Sequence, residues 1–438
     1  MSRLLIRGAT VITMNPRREI LPGANIAVED GTILHVGGEA PRAEFDHVID
    51  ADGHAALPGL VNTHTHAAMT LMRGYADDMP LMAWLKKKIW PLERRVQPED
   101  VYWGTLLACV EMLQAGVTTF NDMYYAFDEA ARAVQESGIR ACLSGVLLGF
   151  LSTARQDLAN AVAFVKEYDG AADGRIVAML GPHAPYTVPD DLMRAVIEGA
   201  RDAGVGIHIH LSETETEVKD SLKATGLTPI AHMDRVGLFE IHPVLAAHGV
   251  HLTDGDLDIM ARKNVGMAHC PGSNMKLASG VARVPEALKR KIAVGLGTDG
   301  AASNNNLDVL EEARLAALLH KVQSGDPTCV TAYQALEMAT RGGARALGLE
   351  DRIGMIAPGM QADLALVDLR RPHLTPLHNV VSHLVYSARA GDVRTVLVNG
   401  RVVVREGRVT TVDEDDVMAQ ANRVARELNS GRRKARPV

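Results

Sequence analysis

An α/β chain built as a (β/α)8 barrel of the TIM type, with a small β-sandwich made from both chain ends, is the fold the sequence predicts. Three observations predict it. Eight short apolar runs alternate with helical segments through the middle of the chain, the rhythm of βα units and a parallel sheet. Both ends instead alternate apolar and polar residues in short strands split by Asp-Gly and Gly-Gly steps. The 438 residues exceed one ordinary compact domain and suit a large barrel with a smaller partner.

Taken in order, residues 1–57 contain "RLLIRGATVITM", "ILPGANIAVEDGTILHVG" and "DHVIDADGHAALPG" and form the first part of the sandwich. Residues 58–357 form the barrel. Its strands are expected at Gly59–His64, Val117–Asp122, Ala141–Leu147, Ile176–Gly181, Gly206–His210, Val244–His248, Val265–His269 and Ala293–Thr298. Segments such as "VYWGTLLACVEMLQAG" and "DLMRAVIEGARDAG" supply the intervening helices. Residues 358–438 complete the sandwich through "ADLALVDL" and "RTVLVNGRVVVREGRVT", with Asn399-Gly400 as a tight turn, and end in a helix from Val412 to Leu428. A doubly wound open sheet is the structural alternative, but the early glycine-rich phosphate loop it normally shows is absent.

Bulk properties narrow the function. Hydrophobic residues make up 47% and charged residues 23%, ordinary for a globular protein in water. A net charge of −7 with interspersed signs argues against a nucleic-acid surface. The basic "GRRKARPV" at the end is short and reads as a frayed terminus. No continuous apolar run is long enough to span a membrane, and the start carries no secretory pattern. Cys109, Cys142, Cys270 and Cys329 are scattered without a CxxC pair, so no disulfide framework is expected and a cytoplasmic location is the default.

Reactive groups of such barrels sit where strands end, at the C-terminal mouth. The first strand ends in His64-Thr65-His66, the fifth in "HIHLSE" with His208, His210 and Glu213, the sixth in His248, the seventh in His269 and the eighth in "GTDG" with Asp299. His64 and His66 are two apart on an extended segment, so they point to one side. Imidazoles joined by a carboxylate suit a borderline divalent metal such as zinc. A lone histidine is more often a hydrogen-bonded core residue, but that reading does not extend to a set placed at successive strand ends. His208, two residues before His210, is expected to support the site without joining it. Likewise, Asp299 could cap a turn and Glu213 could belong to a solvated acidic run, but their places just after strand ends argue for chemistry.

The stretches "PGLVNTHTH", "HIHLSETETEV", "GLGTDGAASNNNLD" and "GMIAPGMQADLALVD" resemble the amidohydrolase superfamily over essentially the whole chain. Within it, "HTHAAMTLMRGYADDMPLMAWLKKKIWPLE", "GPHAPYTV" and "TPLHNVVSHLVYSA" look like the 5-methylthioadenosine/S-adenosylhomocysteine deaminases. The resemblance implies metal ligands His64, His66, His210 and Asp299, a proton-handling Glu213 and an adjacent His248. Many relatives hold two metals through a modified lysine ending strand four. "GRIVAMLGPHAPY" offers none, which implies one zinc or another divalent ion per chain. The cysteine-ligated deaminase signature is also absent.

The reaction so implied is hydrolytic deamination of the adenine 6-amino group of 5′-methylthioadenosine, S-adenosylhomocysteine or a related adenosine derivative. Asp299 would accept a proton from water, Glu213 would protonate the ring nitrogen, and His248 would orient the nucleophile. Glu93 is expected on the ribose hydroxyls, because a carboxylate can accept two hydrogen bonds from a vicinal diol. His183 is expected beside ribose and base, Arg155 on a homocysteine carboxylate, and Trp90, Met69, Met72 and Leu81 on an apolar 5′ group. Ordinary core packing is the other reading for those four. Gly145 stands where close relatives place a further arginine, which weighs against S-adenosylhomocysteine. The expected partner is a small-molecule nucleoside, with neither nucleic acid nor membrane, and a homo-oligomer is expected. Two alternatives stay open: a hydrolase or deaminase of another heterocycle (triazine, guanine, pterin), and a non-catalytic barrel serving as a scaffold.

Overall fold

A computed structural model describes residues 2–430 of the chain. The basic "GRRKARPV" segment at 431–438 lies outside the described residues.

Eight parallel strands close into a barrel in the order in which they occur along the chain. They are Leu60–Thr65, Val117–Tyr124, Arg140–Leu147, Ile176–Pro182, Gly206–Leu211, Val244–His248, Gly266–His269 and Val294–Leu296. The ring closes where Leu296 pairs with Asn62. A second closure uses side chains: Asn62 Nδ2 donates to Thr298 Oγ1 at 2.8 Å and Thr298 N donates to Asn62 Oδ1 at 3.0 Å. The strands are buried on both faces, which is why they read as continuous apolar runs and not as alternating ones. The last strand is shorter than its apolar run suggests. Beyond Leu296 the backbone turns away from the ladder and reaches a left-handed conformation at Asp299 (φ 59°). Gly297 permits this, since a Cβ there would sit 2.8 Å from the Cβ of His64.

The chain ends build one continuous mixed sheet of nine strands beside the barrel. The seam is the antiparallel pairing of Leu364–Asp368 with His54–Pro58. Side chains from both ends, among them Ile6, Val11, Ile26, Leu364 and Leu397, share one core. The predicted Asn399-Gly400 turn is present: both residues have positive φ, 47° and 71°, and Val398 pairs with Arg401 across it. Mirror-image turns of this kind match strand twist and favour Asn-Gly.

Sheet and barrel are pinned by a buried ion pair. Arg140 opens the third barrel strand, and its Nε and Nη2 donate to the two carboxylate oxygens of Asp363 at 2.8 and 3.1 Å. Nη2 also donates to Asn399 Oδ1 at 2.6 Å. Asp363 in turn fixes the entry to the first barrel strand, since its carbonyl accepts from Gly59 N at 2.8 Å.

The final helix runs Glu414–Asn429, capped by Asp413, whose side chain accepts from the amides of Asp415 and Asp416. Val424, Ala421 and Leu428 lie on one face and pack with Met69, Met72, Trp84 and Ile89, beneath the segment that follows the first barrel strand. All four cysteines are free. Among the described residues no helix is long and apolar enough to cross a membrane.

Candidate active site

The strand-end residues converge at one mouth of the barrel. His64 Nε2 and His66 Nε2 each lie 3.4 Å from Asp299 Oδ1, and His210 Nε2 lies 3.4 Å from His66 Nε2. His64, His66 and Asp299 form one cluster of potential ligand atoms, and His64, His210 and His248 form another that shares His64. The residues are wholly or largely buried, with His64 at 0% exposure and Asp299 at 6%.

Each imidazole is oriented by its far nitrogen. His66 Nδ1 donates to the Met123 carbonyl at 2.7 Å and His210 Nδ1 to the His183 carbonyl at 2.7 Å. A carbonyl can only accept, so Nδ1 carries the proton and Nε2 presents a lone pair to the centre. His64 Nδ1 lies 2.8 Å from His208 Nε2, the supporting role expected for His208. The Nε2 of His64 is buried without a hydrogen-bond partner. Burial lowers the pKa of His64 to about 4, so its imidazole is neutral, the form a metal requires. An orphaned, deprotonated nitrogen beside two more lone-pair nitrogens and a carboxylate fits a divalent ion of zinc type. Asp299 is itself held: Oδ1 accepts from Gly300 N at 2.7 Å, and Oδ2 accepts from Ser273 Oγ at 2.6 Å and Ser303 Oγ at 2.8 Å.

Beside this centre stand two groups able to move or polarise protons. Burial raises the Glu213 carboxyl above its ordinary range. Its backbone is anchored by Glu217, whose two oxygens accept from the amides of Ser212 and Glu213, both at 2.8 Å. His248 Nδ1 lies 3.0 Å from Asn274 Oδ1, which leaves Nε2 facing inward. Burial pushes the pKa of His248 down, but the carboxylates of Glu213 and Asp299 outweigh it and hold the ring above its ordinary value.

These groups line a narrow cleft of about 80 Å³. At Trp90, Glu93 and Tyr124 it meets an outer chamber of about 950 Å³ walled by Phe127, Phe150 and Phe164. Glu93 sits half-buried at that junction. Burial raises its pKa, opposed by the neighbouring Tyr124 hydroxyl and by His66. His183 lines the cleft, its Nδ1 3.0 Å from Thr187 Oγ1, and burial lowers its pKa to about 3.

Of the expected apolar wall, Met69, Leu81 and Trp90 line the cleft, whereas Met72 does not. Met72 is 1% exposed and packs in the core beneath the site. Arg155 is a second correction. It lies on an exposed helix surface paired with Asp191 at 3.0 Å, and it lines neither cleft nor chamber. Helix periodicity turns it outward, toward solvent and a charge partner. Gly145 is pressed by Phe127, whose ring would lie 2.4 Å from a Cβ at that position. Sequence reasoning missed Ser273, Ser303, Asn274, Glu217, Tyr124 and Tyr186. The signal for the first three was present in "PGSN" and "ASNNN", small polar stretches that follow barrel strands seven and eight, the first of them opening the short helix Pro271–Lys276.

Fold and donor set together define a barrel enzyme with a candidate divalent-metal centre at the C-terminal mouth. The chain belongs to the amidohydrolase family, whose model matches residues 55–403. It is 54% identical to a 5-methylthioadenosine/S-adenosylhomocysteine deaminase of Pelotomaculum thermopropionicum, over 98% of this chain and 99% of that protein. A 5′-deoxyadenosine deaminase of Methanosarcina mazei is 48% identical, again over 98% and 99%. Among solved structures, an adenosine deaminase from Xanthomonas campestris with bound zinc superposes with a TM-score of 0.93 at 37% identity, covering 98% of this chain and 99% of that one.

Proposed function

We propose that the protein hydrolytically deaminates adenosine derivatives with a small uncharged 5′ substituent, 5′-methylthioadenosine foremost, giving the inosine analogue and ammonia. The observation that carries the reading is Glu93. Its carboxylate stands at the junction of cleft and chamber, beside Tyr124 and His66. A free base or a triazine has no diol for such a group to hold. The names of the relatives point the same way.

His64, His66, His210 and Asp299 would hold one zinc or similar divalent ion. When bound there, the ion supplies Lewis acidity that makes water a nucleophile near neutral pH. The donor set stops at one ion because no lysine lines the cleft. Asp299 takes a proton from the attacking water. Glu213, whose carboxyl is pushed toward its protonated form by burial, would donate to the ring nitrogen beside C6 and make that carbon more electrophilic. His248 directs its inward nitrogen to the incoming oxygen and stabilises the charge developing there. The proton taken by Asp299 would then leave with the 6-amino group as ammonia, while the C6 hydroxyl returns its proton to Glu213 as the ring gains a carbonyl. His183 and Trp90 flank the ribose and base.

The 5′ group would extend toward a chamber of aromatic side chains, in which Arg94 is, among the described residues, the one basic side chain of the lining. With Arg155 turned away, the carboxylate of S-adenosylhomocysteine gains little there, so methylthioadenosine and 5′-deoxyadenosine are the better substrates. An ammonia-release screen over adenosine, 5′-deoxyadenosine, methylthioadenosine, S-adenosylhomocysteine, guanine and triazines tests this, alongside elemental analysis for one metal equivalent. Turnover of guanine or a triazine without turnover of any nucleoside would overturn it.

A further inference from the structure

We propose that Glu312, on the helix Val309–Ser324 outside the barrel, is the positioning residue for Asp299, clamping the short helix Pro271–Lys276 to the turn around Asn304, the two segments whose serines hold that carboxylate. The proposal rests on Asp299 being a metal ligand.

Glu312 is fully buried, at 0% exposure. Among the described residues it forms no ion pair with a cation; its two oxygens take two different segments, the short helix Pro271–Lys276 and the turn around Asn304. Oε2 accepts from Gly272 N at 2.9 Å and Oε1 accepts from Asn304 Nδ2 at 2.9 Å. Gly272 immediately precedes Ser273, and Asn304 immediately follows Ser303. Those two serines converge on the outer oxygen of Asp299, at 2.6 and 2.8 Å. Ser303 Oγ also lies 3.0 Å from the Gly300 carbonyl, a longer contact than the one to the carboxylate. One carboxylate therefore sets the spacing of two hydroxyls that follow barrel strands seven and eight.

A second observation agrees. A Cβ on Gly272 would come within 2.4 Å of both Asn304 Oδ1 and Glu312 Oε1. The absent side chain is what lets loop, amide and carboxylate close on one another. With Oδ2 fixed by two donors, Oδ1 is the oxygen left to face His64 and His66. Loss of the clamp frees the Asp299 side chain to rotate. Outer partners of metal-binding groups typically contribute roughly 10–100-fold in metal affinity or activity.

The test follows the metal, so it does not depend on which substrate is turned over. Zinc-loaded wild type, Glu312→Ala, Glu312→Gln and the pair Ser273→Ala with Ser303→Ala are challenged with a chelator. Zinc loss, kcat and KM are recorded, together with the Tm of each metal-free form. Glu312→Ala and the serine pair should each lose zinc at least about tenfold faster and lower kcat similarly, with KM within about twofold. Glu312→Gln should restore retention to within about threefold, because an amide oxygen still accepts from Gly272 N. Combining Glu312→Ala with the serine pair should add less than about threefold, since all three act through one contact. A lowered Tm with unchanged zinc retention and kcat would mean that Glu312 only stabilises the fold, and would overturn the proposal. Full additivity, or no rescue by glutamine, would overturn it too. If Glu312→Ala does not fold, the serine pair decides: wild-type retention in that variant defeats the clamp.

Discussion

Replacing Glu93 by alanine tests the nucleoside reading most directly. The side chain is half-buried at the mouth of the inner cleft and is separate from the ligand cluster, so its loss should leave metal content intact. A carboxylate bonded to the two ribose hydroxyls makes two charge-assisted hydrogen bonds, each worth about 1.5–3 kcal/mol. Partial exposure places Glu93 at the low end of that range, and two such bonds sum to about 3 kcal/mol. At 1.4 kcal/mol per factor of ten, kcat/KM for methylthioadenosine should fall by on the order of 10²-fold. Wild type should also discriminate strongly against the 2′,3′-dideoxy analogue, whereas Glu93→Ala should treat the two substrates nearly alike. The assay is ammonia release for two proteins on two substrates, with zinc measured in each sample. Equal discrimination by both proteins would refute the argument. Glu93 would then be a wall residue beside Tyr124, and the free-base or triazine reading would gain the ground lost.

Glu213→Gln should keep its zinc by elemental analysis and lose roughly 10²–10⁴-fold in kcat, because an amide cannot shuttle a proton; unchanged turnover at full metal loading would remove Glu213 from the mechanism. Arg140→Met should destabilise by about 3–5 kcal/mol in urea unfolding, since it strands the buried Asp363 carboxylate, and replacing both partners with apolar residues should recover much of that loss. A cost below about 1 kcal/mol would show that the sheet-to-barrel joint relaxes freely. The Glu312 carboxyl is pushed up to about 8 by burial, above the ordinary glutamate value of about 4.3. Folding therefore favours its protonated form. That stabilising share is fully present below the unfolded pKa and is lost as pH rises through the folded one. The stability of wild type relative to Glu312→Gln should accordingly decline from about pH 4.3 to about pH 8 and level off above it, and parallel curves for the two proteins would count against a raised pKa.

How much of this was legible in the sequence depended on whether the signal was local. Strand direction fixes the relation of His64 to His66, and a strand end fixes the place of Asp299, so their meeting at one mouth was local information, while their assignment as a ligand set came from the resemblance to the amidohydrolase superfamily. The Asn399-Gly400 turn was equally local, because two consecutive positive φ values are a property of those two residues. Both corrections concern side chains whose direction depends on helix phase and on neighbours brought in from elsewhere. Arg155 sits in a helix where a small change of phase separates cleft from solvent, and Asp191, from a different helix, supplies the partner that holds it outside. Met72 belongs to the short helix Ala67–Met72, whose far side is covered by the last helix of the chain. No local pattern announces that a segment more than three hundred residues later closes over it.

The same reasoning explains why most supports of the site were harder to read than the strand-end residues themselves. A ligand needs only to be the right residue at the end of a strand. Most supports come from another βα unit: His208 for His64, Ser273 for Asp299, and Asn274 for His248. The barrel supplies those partners because consecutive strands deliver their following loops to one rim, so residues far apart in sequence become neighbours there. Glu217 is the exception that fits the rule. It lies four residues after Glu213, and both its contacts fall within the turn that starts its own helix. A sequence reader attending to "SETETE" as a cap could have assigned it, whereas Glu312, which reaches back forty residues to Gly272, could be assigned only once the barrel was closed.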